Sequence, residues 1–202
     1  MKRVIFADIG GVCCDNPYRV MAAALKKRFG VPEKRSLSVL TEEAVDLDLG
    51  RNDFRRFHAN VIASLQIPLS FGDFESMHET SLMLREDVCS LLSDVRRRNG
   101  IRIIALSNMP EYTWNIISGR RGMDALFDDA VLSYAYSVAK PDPAFFDIAL
   151  KRAGVPASDT LFVDDRRDNV RAAGERGIQS ILFTSADRLR KEFSMNGLIP
   201  YP

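Results

Sequence analysis

The sequence predicts an α/β fold, a doubly wound parallel sheet with a block of helices inserted after its first strand. Three observations carry that reading. Short apolar runs, Val4-Ile5-Phe6-Ala7, Ile103-Ile104-Ala105-Leu106 and Leu161-Phe162-Val163, end abruptly on polar residues, as strands buried on both faces do. Helical stretches with recognisable start and stop signals separate these runs, the alternation that builds a parallel sheet from crossover units. Between the first run and the second, residues 16–84 read as helix after helix with no strand pattern.

Taken in order, the first run ends on Asp8, followed by Gly10 and Gly11. In open α/β sheets ligands bind beyond the carboxyl ends of the strands, which places Asp8 where substrates go. Two readings are open for this stretch alone: a ligand site, or a strand end followed by a loop with Asp8 as its cap. Asn16-Pro17 then predicts a helix start, with Asn as N-cap and Pro in the first turn, over 18–28 and stopping at Gly30. Further helices are expected over 32–49, 52–66 and 71–81, punctuated by Gly50, Pro68 and Gly72. A helix over 86–98 ends at Asn99-Gly100, and a strand over 101–106 follows at once. Pro110 starts a helix bearing Trp114, read as a packing residue. The short apolar run 130–132 leads into the loop that carries Lys140. A helix over 143–152, a strand over 160–163, a helix over 169–176, a strand over 178–183 and an amphipathic helix over 187–195 complete the chain.

Twenty-eight basic and 27 acidic residues nearly cancel, so no charge-driven partner is implied, and neither nucleic acid nor an anionic membrane is expected. The chain enters its first strand directly and has no apolar run long enough to span a bilayer; a soluble, cytoplasmic protein, monomer or homodimer, is expected. Cys13, Cys14 and Cys89 have no CxxC spacing and few histidines accompany them, which argues against a structural zinc site or a disulfide framework. Adjacent Cys13 and Cys14 are read as small apolar packing groups.

Four stretches together resemble the haloacid dehalogenase superfamily, in its capped, phosphatase-type subgroup. The first is Asp8-Ile9-Gly10-Gly11-Val12, the second Ser107-Asn108 at the end of a strand, the third Lys140-Pro141, and the fourth the acidic pair Asp164-Asp165 closing a strand, with Asn169 just beyond. Each alone is weak; four in this order, with strand–helix units between them, are specific. The resemblance implies a Rossmann-like hydrolase core over 1–15 and 85–202 and a small helical cap over 16–84 that screens the site and selects substrate. Arg51, Arg55, Arg56 and His58 lie in that cap and are candidates for substrate contact, although charged helix residues are more often a solvated face. His58 and His78 are read as surface or core residues in preference to ligands.

By the same resemblance, Asp8 is the nucleophile of an Mg²⁺-dependent phosphohydrolase acting on a small phosphorylated metabolite, a sugar phosphate among the candidates. Mg²⁺ is expected on Asp8, the backbone carbonyl of Gly10 and the acidic pair Asp164 and Asp165, with Asn169 supporting them from behind. Ser107 and Asn108 are expected at the phosphoryl oxygens, and Lys140 is expected both to neutralise them and to pair with Asp8. Two adjacent acids closing an apolar strand are costly unless something binds them, which favours function over a solvated pair.

One residue departs from the family pattern. A second Asp normally stands where this chain has Gly10, and that acid donates a proton to the leaving group, a contribution worth about 10²–10⁴ in rate. The departure keeps a catalytically weak, phosphate-binding or regulatory protein in view, disfavours a phosphomutase, and leaves metal-free haloacid dehalogenation as a further alternative. It also predicts a preference for leaving groups that tolerate negative charge, such as aryl, acyl and anomeric sugar phosphates, unless Asp15, water or the substrate supplies the proton.

Overall fold

The computed structural model describes residues 2–120 and 122–200. Five strands, β1 (Val4–Ala7), β2 (Arg102–Ser107), β3 (Asp129–Leu132), β4 (Thr160–Asp164) and β5 (Gln179–Leu182), form one parallel sheet in the order β3-β2-β1-β4-β5. Strand residues alternate between two cores, because successive side chains point to opposite faces. Ile5, Ala7, Ile103, Ala105, Leu161 and Val163 belong to one core; Val4, Phe6, Ile104, Leu106 and Phe162 belong to the other.

Helices α5 (Glu86–Asn99) and α10 (Ala186–Met195) cover the first core, and α8 (Pro143–Ala153) and α9 (Arg167–Glu175) the second. Covering a sheet on both faces is the doubly wound arrangement expected from the sequence. The start signals hold locally: Asn16 and Asp142 each stand before a proline, and their side chains accept from backbone N–H groups of Arg19 and Ala144. The helix expected after Pro110 is present and short: α6 (Glu111–Asn115), which bears Trp114, gives way to a π-helical turn, Ile116–Arg120, and a 3₁₀ turn, Met123–Leu126. Gly119 and Gly122, poor helix formers, fall in that stretch. Trp114 packs against the first core. A short helix, α7 (Ser133–Tyr136), precedes the Lys140 loop, where only loop is read from the sequence.

Helices α1 (Pro17–Phe29), α2 (Glu33–Asp48), α3 (Phe54–Leu65) and α4 (Phe71–Ser81) pack around a third cluster that includes Met21, Leu25, Leu40, Phe57 and Phe74. Phe54 stacks on Tyr112 of α6 at 4.0 Å between ring centres, and His78 Nε2 lies 2.8 Å from Thr113 Oγ1, so α3 and α4 are tied to the residues that follow β2. The end of α2 is pinned separately. Ser133 Oγ donates to the carbonyl of Asp48, and Gly50, at φ 69°, lies so close to the chain that a Cβ there would sit 2.7 Å from the Tyr134 carbonyl oxygen. Among the described residues no helix is long and apolar enough to cross a membrane.

The Gly50 contact is testable. Gly50→Ala puts a β-carbon into a left-handed conformation and against a backbone oxygen, costing at least about 1 kcal/mol. Thermal unfolding is expected to shift down by about 2–4 °C or more. An unchanged midpoint would show that the end of α2 is not held there.

Candidate active site

Pairing register brings the predicted residues together. Ala7 pairs with Ala105 on one side and Val163 on the other, so Asp8 lies beside Asp164, and Ser107 emerges one step beyond. The chain runs outward through β2 and β3 and then returns to β4 on the other side of β1. Asp8 and Asp164 thus flank the switch point, where open α/β sheets hold their ligands.

The carboxylate of Asp8 is organised through one oxygen. Its Oδ1 accepts from Ile9 N–H at 2.8 Å and from Ser107 Oγ at 2.7 Å, and lies 2.9 Å from Lys140 Nζ. Among the described residues no hydrogen bond is found to Oδ2. Lys140 reaches the site from the loop after α7. Its ammonium also contacts Asp164 Oδ2 at 2.7 Å and donates to the Leu106 carbonyl at 2.6 Å. Asn108 clamps the Lys140 backbone at both ends, donating to its carbonyl and accepting its N–H at 2.8 Å each. Both ends of its amide thus hold this loop, and Asn108 also lines the cleft that contains Asp8 and Ser107.

Asp164 is fully buried. It accepts from Lys140, from Arg166 N–H at 2.8 Å and from Asn169 Nδ2 at 3.0 Å. Asp165, only partly buried, lines a cleft of about 300 Å³ together with Asp8, Gly10, Ser107, Lys140 and Asn169. Gly11 makes room for it: a Cβ there would overlap the Asp165 carboxylate. At Gly10, by contrast, the nearest atom to a Cβ would be Pro17 Cδ at 4.0 Å, and its backbone is outside the left-handed region.

Burial pushes Asp8 up to about 7, against the pull of the Lys140 charge and with a further push from Asp164. Burial and the Asp164 charge likewise raise Asp165. Burial alone would lower Lys140, yet Asp164 and Asp8 outweigh it and hold the ammonium above the ordinary lysine value. One ligand oxygen from each of Asp8, Asp164 and Asp165 lies within 4.8 Å of the others. Asn169 Oδ1 is buried beside them without a partner, and three carboxylates face a single ammonium. A hard cation with oxygen ligands fits this donor set and offsets its excess charge.

The cap residues singled out from sequence lie elsewhere. Arg51 pairs with Asp46 on the surface, Arg55 stacks over Phe71 at 4.2 Å, Arg56 is exposed, and His58 is buried with Nε2 2.8 Å from the Leu69 carbonyl. The reason is geometric: α3 turns its apolar face into the bundle, and α1 and α2 supply the helical wall of the cleft. Tyr18, Thr41, Ala44, Val45, Asp48 and Leu49 are the residues that sequence reasoning missed. Asp15 lies off the cleft, with Oδ1 3.1 Å from both Nε and an Nη of Arg85. Cys13, Cys14 and Cys89 form no disulfide, and the first two are fully buried.

Comparison with known proteins gives the family and the fold. The profile of the haloacid dehalogenase-like hydrolases matches residues 2–177. Among solved structures, the HAD family enzyme bt-2542 of Bacteroides thetaiotaomicron shares the fold at a TM-score of 0.79 and 21% identity, over 96% of this chain and 98% of that one. The same enzyme in complex with magnesium and inorganic phosphate gives a TM-score of 0.74 at 21% identity, over 91% and 95%. The flavin mononucleotide hydrolase 1 of Arabidopsis thaliana is 34% identical over 96 residues, covering 48% of this chain and 39% of that protein. A sesquiterpene phosphatase of Aspergillus oryzae is 28% identical over 113 residues, covering 55% and 57%. The matches thus span less than two thirds of either curated relative. With a family profile running from before β1 to beyond α9 over the same four stretches that build the site, the chain belongs to the haloacid dehalogenase-like hydrolases.

Proposed function

We propose that this hydrolase is an Mg²⁺-dependent phosphatase of small phosphate esters, working through phosphoryl transfer to Asp8. The observation that carries the reading is the buried Asp8–Lys140–Asp164 array with Asp165 and Asn169 beside it. An anionic nucleophile meets an anionic substrate only where the site supplies positive charge and fixed positions. Lys140 supplies part of that charge and is itself fixed by Asn108 and the Leu106 carbonyl. Oδ1 of Asp8 is held by three partners, which leaves Oδ2 to attack phosphorus in line with the departing oxygen. Ser107, already on Oδ1, is within the same cleft to donate to a phosphoryl oxygen. Asp8, the carbonyl of Gly10 and Asp165 would hold Mg²⁺, with Asp164 and Asn169 behind them. Bound there, the ion neutralises phosphoryl charge and fixes its orientation.

The solved relative that carries magnesium and inorganic phosphate supports this reading, as does the phosphatase among the curated relatives. Metal-free dehalogenation fits less well, because it leaves the excess charge of three clustered carboxylates without a counter-ion. In this reading residues 1–15 and 85–202 are the hydrolase core and 16–84 the cap. Ala44, Val45 and Leu49 give the cap side of the cleft an apolar wall, which suits a leaving alcohol with apolar surface.

Phosphate release from a panel of esters, with and without Mg²⁺, tests the proposal. Turnover is expected to vanish on chelation and return with added Mg²⁺; turnover that survives exhaustive chelation would contradict it. Asp8→Asn keeps the side-chain shape and loses the nucleophilic oxygen, so kcat should fall by about 10³-fold or more. A variant retaining a tenth of wild-type activity would remove Asp8 from the role assigned. Gly11→Ala, which displaces Asp165, should weaken Mg²⁺ binding by about 10–100-fold in a calorimetric titration. Unaltered Mg²⁺ affinity would mean that Asp165 does not hold the ion.

A further inference from the structure

Breaking a P–O bond leaves an electron pair on the departing oxygen. A simple alcohol needs a proton there, and Gly10 has no side chain to give one. Two carboxyl groups near the first motif could replace it. Asp15 is engaged by Arg85 and lines a neighbouring cleft with Arg19 and Thr184; that cleft shares Asn16 and Asp165 with the one that contains Asp8, but Asp15 does not line the latter. Asp48 lines the same cleft as Asp8 and Gly10.

Several features set Asp48 apart from a surface acid. It is the last residue of α2, where the negative end of the helix dipole disfavours a carboxylate. No Lys or Arg pairs with it among the described residues, whereas its neighbour Asp46 pairs with Arg51. Tyr18 Oη donates to its Oδ1 at 3.3 Å, which orients the group. Its backbone is anchored to the core by Ser133 Oγ and by the close approach of Gly50 to Tyr134, so the position is set by the fold and not by a free helix end.

We propose that Asp48 is the catalytic acid of this phosphatase, delivered by the cap in place of the side chain that Gly10 lacks. This rests on the phosphatase reading above and adds the proton donor to it. Burial pushes the Asp48 carboxyl up to about 7, Tyr18 pulling it down and the charge of Asp8 adding to the rise, so a large share carries a proton at neutral pH. In the first step Asp8 attacks phosphorus and the bond to the alcohol oxygen breaks. The electron pair stays on that oxygen, and the Asp48 proton moves to it, giving free alcohol, phosphorylated Asp8 and ionised Asp48. In the second step water attacks phosphorus, Asp48 takes the water proton, and the bond to Asp8 breaks, releasing phosphate and restoring both groups. Unactivated alkyl phosphates then become substrates, contrary to what Gly10 alone predicts.

The test compares kcat/KM, which reports the first phosphoryl transfer, across phosphate esters from alkyl to p-nitrophenyl in the presence of Mg²⁺. Wild type should depend only weakly on leaving-group basicity. Asp48→Asn, which can hydrogen-bond but not give up a proton, should lose about 10²-fold on alkyl esters and less than about threefold on p-nitrophenyl phosphate. Retained aryl kcat/KM serves as the control for folding, whereas kcat should fall for both ester classes because Asp48 also takes the water proton in the shared second step, and Asp48→Ala is read in the same way should the amide variant not fold. Adding Gly10→Asp to Asp48→Asn, at a position with room for a Cβ, should restore part of the alkyl activity. An Asp48→Asn enzyme with wild-type dependence on the leaving group, or one that loses kcat/KM for both ester classes equally while keeping its melting temperature, would overturn the role of Asp48 and leave the phosphatase reading standing. A wild type that releases phosphate from no ester would overturn the phosphatase reading, and this proposal with it.

Discussion

A single buried ammonium, Lys140 Nζ, holds together two carboxylates at the ends of neighbouring strands. Asp8 and Asp164 oxygens within 4.8 Å of each other repel by about 3–4 kcal/mol at an effective dielectric constant of 20. The ammonium between them, in shorter contact with both, turns that repulsion into attraction. Removing one partner from such a buried group typically costs about 3–5 kcal/mol, whereas an apolar replacement of the whole set is often harmless. Stability alone therefore gives no reason to build the array, and chemistry does. With Asp165 included and all three carboxylates ionised, two negative charges remain in excess, which one divalent cation would neutralise.

Backbone geometry puts the members of the array in place. Register between β1, β2 and β4 places Asp8, Ser107 and Asp164 at one edge of the sheet. Two adjacent glycines then do different jobs. Gly11 yields space to the Asp165 carboxylate, while Gly10 yields space to the cleft. The first job cannot be done by a residue with a β-carbon; the second can, so the missing side chain at Gly10 is a chemical difference and not a steric one. The same logic applies at Gly50, whose close approach to Tyr134 sets where the end of α2, and with it Asp48, meets the core.

Much of this was legible in the residues. Strands that end on Asp8, Ser107 and Asp164 announce themselves because both of their faces are apolar and the change to polar residues is abrupt. Asn16-Pro17 and Asp142-Pro143 announce helices because an N-cap and a proline act within a few residues of the feature they predict. The cap side of the cleft was not legible. Which face of a helix turns toward a site depends on how four helices pack, and Arg55 and Arg56 lie on a helix whose apolar face points into the bundle. Asp48 sits in a run of alternating acids and leucines that reads as an ordinary amphipathic helix end. Its side chain meets Tyr18, and its backbone carbonyl meets Ser133, some eighty positions further along. The Asn108 clamp was hidden for the same reason, since its partner, Lys140, is far away in the chain.

The central claim is that Asp8 carries the phosphoryl group during turnover. It is tested most directly by mixing the enzyme with a ³²P-labelled ester and Mg²⁺, quenching in acid, and locating the label by peptide mass spectrometry. Label on the peptide containing Asp8, absent from Asp8→Asn and chased off by unlabelled ester, is the predicted result. Steady phosphate release with no label on Asp8 at any quench time would contradict it.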